Sequence, residues 1–366
     1  MRITLITDWW PPRVGGVESQ VSDLAARLAE RGHRVRVLTT TVTPTAMPDV
    51  DVEEVRLPKT GDIAAPDLRR VRDIAERVAA GSPDVVHAHG MFSSLAVGGV
   101  MAAGRLGLAS VSTTHSLLRP WPVFIGGAFV SRMLSRRAGV LTAVSRAAAR
   151  DVSHASGRHV VEIPNGLDIA CWRSERCRRD GGRVHIVAVT RLVRKKSPID
   201  LVRALHEAVK RLGADRVQMT VAGDGPERRR LAREAARLGV GRRLVFHGAC
   251  ARRDVRALLA RASILIQPGR HEAFGLVLLE ARAAGVPVVA MRAGGVPELV
   301  EHGRHGLLAD DRQTFATAVA ELCANASLRE RCAAAAPQDL ERFEWRRVIA
   351  EYEAVYDTAL SHAGRR

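Results

Sequence analysis

The chain has 366 residues, 46% of them apolar, which is enough for two domains of ordinary size with real cores, and it carries a formal charge of +17. Of its 56 basic residues 52 are arginine, scattered along helices without aromatic interleaving; this argues against a nucleic-acid protein and leaves a membrane surface or a phosphorylated substrate as partners suited to the charge. Five cysteines without zinc spacing read as reduced thiols, and MRITLIT lacks the basic start and apolar core of a secretory leader, so a cytoplasmic protein with no metal centre is expected.

Short β-branched runs alternate with amphipathic stretches, the pattern of parallel α/β sheets. RITLIT (2–7), HRVRVLTT (33–40), DVVHAH (84–89) and SVSTTH (110–115) are the strands expected in the first half. After the first, TDWWPPRVGG leads into a helix with the apolar stripe Val17, Val21, Leu24 and Leu28, closed by Gly32. Gly15 and Gly16 stand at its N-terminus, where free backbone N–H groups favour an anion. A tight turn needing glycine only for its backbone freedom is the equal alternative. Trp9 and Trp10, just before the PPRVGG loop, either rim a ligand cleft or pack beneath it. His87 and His89 form no metal site without a third ligand and read as two loop histidines.

Residues 117–139, LLRPWPVFIGGAFVSRMLSRRAG, set Val123, Phe124, Phe129, Val130, Met133 and Leu134 beside Arg132, Arg136 and Arg137. This suits an interfacial helix on an anionic bilayer, or a core helix with a charged outer face. Hydrophobic periodicity lapses in SERCRRDGGR (174–183), the expected hinge between two domains.

In the second half the expected strands are RVHIVAVT (183–190), RVQMTVAG (216–223), LVFHGA (244–249), ILIQPG (264–269) and PVVAM (287–291). RLVRKKS follows the first of these. Two of only four lysines lie there, close behind Arg191, which tilts the reading of Arg191 and Lys196 from an exposed charge run toward a phosphate clamp. Gly223 and Gly225 precede another helix, but Arg228 occupies the third glycine position of a dinucleotide fingerprint, against a nicotinamide enzyme. AGGVPELVEHG repeats the glycine–helix junction at Gly294 and Gly295. HEAFG lacks the second histidine of a zinc-protease motif, since Gly275 stands in its place. HEAFGLVLLEARAAG (271–285) is as apolar as a core helix yet holds Glu272 and Glu280, and a buried carboxylate is costly unless paired. The chain's last 25 or so residues place Trp345, Ile349, Tyr352, Val355, Tyr356 and Leu360 at helical spacing with no strand after them, so this helix must dock on something already built.

Taken in order, TDWWPPRVGGVES, HAHG, STTHS, VSRAAARDV, IPNGLD, TRLVRKKS, AGDGP and HEAFGLVLLEARAAGVPVVA resemble the family 4 retaining glycosyltransferases, over about residues 3 to 355. The Glu-x7-Glu block is the most specific part. Within the family the motifs look most like the phosphatidylinositol N-acetylglucosaminyltransferase branch and its bacterial relatives. The resemblance implies an α/β fold of GT-B type, two Rossmann-like parallel-sheet domains facing a cleft. Residues 1–173 would hold the acceptor, 183–338 the nucleotide-sugar donor, and 339–366 a helix crossing back to the first domain.

By the same resemblance, Arg191 and Lys196 bind the donor diphosphate and stabilise the leaving charge without a metal. Glu272 contacts sugar hydroxyls, and Glu280 the ribose hydroxyls. Phe274, Gly275 and Leu276 form the helix start that meets the phosphates. His115 lies close to the transferred sugar; Gly15, Gly16 and Gly223 belong to the donor side, with Gly16 near both phosphate and acceptor. Were 272–280 helical throughout, its two carboxylates would lie about 12 Å apart, a fair reach from sugar to ribose. Two positions depart from the pattern, Thr190 before Arg191 and Ser197 after Lys196, which puts donor identity in question. The implied function is retaining transfer of a hexosyl group, N-acetylglucosamine from a UDP-sugar foremost, to a hydroxyl of a lipid or inositol-type acceptor; peripheral contact with an anionic membrane through 117–139 stays an alternative to the core helix there. The alternative is a GDP-mannose- or UDP-glucose-dependent transferase acting on a soluble sugar, cyclitol or natural product. A sugar-nucleotide epimerase and a basic non-enzymatic binding module are the remaining rivals.

Overall fold

The structure, a computed structural model, describes residues 1–55, 68–90, 93–118, 138–173 and 182–364. Most of the expected interfacial segment 117–139 and most of the hinge 174–183 lie outside the described residues. The chain divides into two compact units, one formed by Met1–Gly166 with Phe343–Arg366 and the other by Leu167–Arg342.

The first unit carries β1 (Arg2–Thr7), β2 (Arg34–Thr39), β3 (Val50–Glu54), β4 (Val85–His89), β5 (Ala109–Thr114), β6 (Val140–Ala143) and β7 (Val161–Glu162) in a parallel sheet of order β3-β2-β1-β4-β5-β6-β7. Successive residues of a strand face opposite sides, and β1 shows it. Ile3 and Leu5 join one apolar core, with Trp10, Leu24 and Leu28, while Ile6 joins another, with Leu38, Ile74 and Leu95. Both faces of the sheet are therefore covered, as a parallel sheet requires.

The helix Trp345–Ala363 closes the first of these cores. It contributes Trp345, Val348, Ile349, Tyr352, Val355, Tyr356 and Ala359, the i, i+3, i+4 stripe that the spacing of the terminal residues implies. Each large side chain buried there contributes roughly 1.5–3 kcal/mol. The approach is close at Gly166, where a Cβ would stand 2.4 Å from the Trp345 ring.

The second unit carries β8 (Val184–Val189), β9 (Val217–Ala222), β10 (Leu244–Gly248), β11 (Ile264–Gln267), β12 (Val288–Met291) and β13 (Gly306–Ala309), parallel in the order β10-β9-β8-β11-β12-β13. The helices Ile199–Leu212 and Arg312–Ala324 pack on it through Leu201, Val202, Leu205, Phe315, Val319 and Leu322. The strand order reverses between β1 and β4 in one sheet and between β8 and β11 in the other. In open sheets of this kind ligands bind beyond the carboxyl ends of the strands at that reversal. Both units are thus Rossmann-like. β3, β6, β7 and β13 are strands that hydrophobic alternation does not single out, and their acidity or brevity explains why.

Candidate functional site

The loop after β8 and the loop after β11 leave the second sheet at its reversal point. The first of them, from Thr190 to Ser197, bears Arg191, whose guanidinium is exposed and makes no ion pair with a described residue, and then Lys196. Gly223 and Gly225 shape this loop from below. Their φ angles are 135° and 156°, and a Cβ would stand 2.0 Å from Thr190 O at one and 2.5 Å from Leu192 O at the other. The glycines here allow two backbones to touch, and Leu192 N donates to Asp224 O at 2.9 Å to hold them together. Ser197 takes the left-handed conformation, φ 51°, which glycine adopts more easily. This is the position where the family pattern has glycine.

Lys196 Nζ donates to Glu272 Oε2 at 2.7 Å, and Gln267 Nε2 donates to the same oxygen at 2.7 Å. Two donors thus converge on one carboxylate oxygen, leaving Oε1 without a partner among the described residues. Gln267 ends β11, is 6% exposed, and its own Oε1 is buried without a partner among the described residues. Gly295 N, from the glycine turn after β12, donates to Glu272 O at 2.9 Å and fixes the backbone.

Glu272 is not helical. Gly275 is the N-cap, with φ 98°, and the helix runs only over Leu276–Ala283. The left-handed residue breaks the continuity assumed in the 12 Å estimate. Leu278 N and Leu279 N both donate to Gly275 O, so the N–H groups of Leu276 and Val277 are the orphan donors of the first turn. Phe274 is buried beneath them. Glu280 is 7% exposed, with Arg252 Nε 3.8 Å away, and the Arg252 guanidinium lies over the Trp172 ring. The buried carboxylate therefore has a cation beside it. Near the helix's other end, Arg282 donates to the carbonyls of Leu299, Ala336 and Gln338 at 2.6–2.9 Å. Burial lowers its pKa to about 10, so it remains charged at neutral pH.

In the first unit the helix Gly16–Glu30 begins after Gly15, and the Glu18 carboxylate lies over that glycine: a Cβ there would be 2.3 Å from Oε2. Glu18 is only 8% exposed, so this helix terminus already carries a negative group. Trp10 packs beneath the loop, fully buried, with Nε1 donating to Thr45 O. Trp9 is half-buried against Gly90.

His87 and His89 lie on β4 rather than on a loop. His87 is held by Tyr356 Oη at Nδ1, 2.8 Å, and by Thr113 Oγ1 at Nε2, 2.7 Å, and burial lowers its pKa to about 3. His89 Nδ1 faces His115 Nε2 at 3.0 Å. Burial lowers His115 to about 4 and His89 well below 6.5. Among the described residues no group of three or more His, Cys, Asp or Glu side chains is arranged to hold a metal ion, and no helix is long and apolar enough to cross a membrane.

The structure therefore brings together Lys196 and Glu272, with Arg191 on the same loop and Phe274, Gly275 and Leu276 just beyond. Glu280 lies within the helix that Leu276 begins. His115, Gly15 and Gly16 belong to the other unit. Sequence reasoning missed Gln267 and read His89 only as a loop histidine; a polar residue ending an apolar strand at a sheet reversal is the signal that finds the first.

Two family descriptions match the chain. Residues 14–170 match Glycosyltransferase Family 4 and residues 174–339 match Glycosyl transferases group 1. The chain is 30% identical over 378 residues to the GDP-mannose-dependent alpha-(1-6)-phosphatidylinositol monomannoside mannosyltransferase of Mycobacterium tuberculosis, covering 94% of each. It is 29% identical to a human phosphatidylinositol N-acetylglucosaminyltransferase component, over 81% of this chain and 63% of that protein. The crystal structure of Anabaena HepE in complex with UDP and glucose superimposes with a TM-score of 0.80 at 22% identity, covering 98% of this chain and 99% of that one, which shows a shared fold of GT-B type.

Proposed function

This chain belongs to the family of group 1 and Family 4 glycosyltransferases, with motifs of the phosphatidylinositol N-acetylglucosaminyltransferase-like branch, and from that premise we propose that it moves a hexosyl group from a UDP-sugar, N-acetylglucosamine foremost, to a hydroxyl of a lipid or inositol-type acceptor. The observation that carries the reading is the Lys196–Glu272 pair at the reversal point of the second sheet, with Gln267 on the same carboxylate oxygen. The spare Glu272 Oε1 is an acceptor for a sugar hydroxyl. Lys196 and Arg191, which has no ion-pair partner among the described residues, are donors for a diphosphate, and they supply the positive field that a departing nucleotide needs as its charge develops. The first-turn N–H groups at Leu276 and Val277 add the helix-terminus contribution to the same anion.

Configuration is retained in this proposal, with attack and departure on one face of the sugar and the departing phosphate taking the acceptor proton. Glu272, already engaged by a lysine and an amide, binds hydroxyls rather than acting as nucleophile. The two arginine- and lysine-borne charges do the work of charge stabilisation without a metal. Glu280 reads the ribose, Phe274 and Gly275 shape the phosphate end, and Gly223 supports the Arg191 loop; for His115, Gly15 and Gly16, which belong to the first unit, sugar and acceptor are the proposed ligands. The basic and apolar sequence 117–139 is the candidate contact with an anionic bilayer, and co-sedimentation with vesicles of anionic against zwitterionic lipid tests that contact.

A UDP donor is supported by the name of the HepE complex, and N-acetylglucosamine as the sugar by the name of the N-acetylglucosaminyl relative. A second reading, GDP-mannose, is supported by the name of the mycobacterial relative. Incubating the protein with labelled UDP-N-acetylglucosamine, UDP-glucose or GDP-mannose and phosphatidylinositol vesicles separates them. Label entering the lipid from the first donor supports the proposal. Label from GDP-mannose alone replaces the donor, and free epimer without transfer replaces the activity.

A further inference from the structure

The proposal above uses His115 and leaves His89 without a task. His89 ends β4, His115 follows β5, and the two strands are paired neighbours. His89 is 1% exposed; its Nδ1 meets His115 Nε2 at 3.0 Å, and its Nε2 is buried with no hydrogen-bond partner among the described residues. An orphaned polar atom of this kind costs about 1–3 kcal/mol unless something satisfies it. A narrow cavity of about 10 Å³ adjoins it, bounded by Gln20, His89, His115, Asn165 and Trp345 among others. That is room for one water, and a buried water needs polar partners. Gln20 donates its amide nitrogen to Gly166 O at 2.9 Å, which leaves its amide oxygen as an acceptor on the cavity wall.

The neighbouring groups leave two tautomer arrangements for the His89–His115 pair, which differ in the ring that donates. His87, whose ring is tilted against that of His89 with centroids 4.1 Å apart, has both nitrogens occupied by Tyr356 and Thr113, so it exchanges no proton with its neighbour. His89 and His115 face each other nitrogen to nitrogen and are both neutral, so one proton lies between them. If His89 keeps its proton on Nε2, it donates into the cavity and must accept at Nδ1. His115 then carries its proton on Nε2.

We propose that His89 is a positioning residue: through one cavity water, which accepts from His89 Nε2–H and donates to the Gln20 amide oxygen, it holds His115 as the Nε2–H tautomer, with the Nδ1 lone pair free to accept a substrate hydroxyl. The substrate-facing part rests on the proposed role of His115 in sugar transfer; the tautomer does not.

Long-range proton–nitrogen NMR correlations on the full chain read the tautomer directly. The expected spectrum has His115 Nε2 protonated and Nδ1 bare, and the reverse assignment overturns the proposal. In His89→Leu the His115 tautomer changes or becomes mixed, while kcat falls about 10–100-fold, the usual effect of losing the partner that orients a functional histidine, with the donor KM unchanged. His89→Asn, whose amide oxygen replaces Nδ1 as acceptor, restores the Nε2–H signature and recovers kcat. An unaltered His115 tautomer in His89→Leu overturns the inference. Should His89→Leu fail to fold, loss of the Nε2–H signature in His89→Asn does the same. Full activity in His115→Ala, with the tautomer as expected, would instead remove the substrate role of His115 and leave the His89 arrangement standing.

Discussion

Lys196 Nζ stands 2.7 Å from Glu272 Oε2, tying the loop after β8 to the loop after β11 where the second sheet reverses its order. Both side chains are largely covered, at 20% and 15% exposure, so each charge relies on the other. Removing one leaves its partner uncompensated in a partly buried place. Glu272→Gln keeps the shape and the Gln267 neighbour but loses the charge. The expected outcome is a fall in kcat of about 10²–10³-fold with nucleotide affinity largely kept, read by steady-state kinetics and nucleotide titration. Lys196→Ala should lower both.

The glycine before the Asp224 turn makes a separate prediction. Gly223 has φ 135° and its missing Cβ would overlap Thr190 O at 2.0 Å. Gly223→Ala should cost about 1–3 kcal/mol in stability from backbone strain. By displacing the Arg191 loop it should also reduce activity about 10²-fold, the effect of a misplacement near 1 Å. Thermal melts and kinetics on the same sample separate the two losses; wild-type activity would show that the loop tolerates the shift.

Tyr356 gives a test in the first unit. Its hydroxyl is 2.8 Å from the fully buried His87 Nδ1, so Tyr356→Phe leaves that nitrogen unpaired. A loss of about 1–3 kcal/mol is expected, or about 2–4 °C in melting temperature per kcal/mol for a unit of this size. Donor affinity should be unaffected.

Acid sensitivity follows from the buried histidines. Burial lowers His87 to about 3 and His115 and His305 to about 4, against 6.5 when exposed. In the window between, the unfolded chain binds protons that the folded chain refuses, so unfolding is favoured as pH falls. Stability from these groups is complete above pH 6.5 and declines progressively toward pH 4. Melting temperatures recorded from pH 8 to pH 4.5 should be level at first and then fall below pH 6.5; a level curve throughout would mean that the histidines are not held neutral.

Much of this fold is legible in the sequence because parallel strands buried on both faces announce themselves as β-branched runs. VDVEE and the four-residue VLTA and GLLA do not, since acidity or brevity hides the pattern. Arg191, Lys196 and Glu272 were legible through rarity and motif. The Lys196–Glu272 pairing was not, because the two lie 76 residues apart and only the β8–β11 neighbourhood joins them. The same holds for His89 and His115, joined by the β4–β5 register. The resemblance implies a helix start at Phe274–Leu276, and the helix begins at Leu276; what the spacing does not show is that the left-handed N-cap Gly275 leaves Glu272 outside that helix. Nothing in LLEARAAG marks Arg282 as a buried cation satisfied by three carbonyls.

The central claim is that the second unit binds a nucleotide sugar through Arg191, Lys196 and Glu272. Calorimetric titration of UDP-N-acetylglucosamine into the wild-type chain and into the Arg191→Ala, Lys196→Ala double variant tests it most directly. Two charge-assisted contacts at about 1.5–3 kcal/mol each predict saturable one-site binding that weakens by at least about 10²-fold in the variant. Equal affinity in the two proteins, or no saturable heat with any nucleotide sugar, would contradict the account.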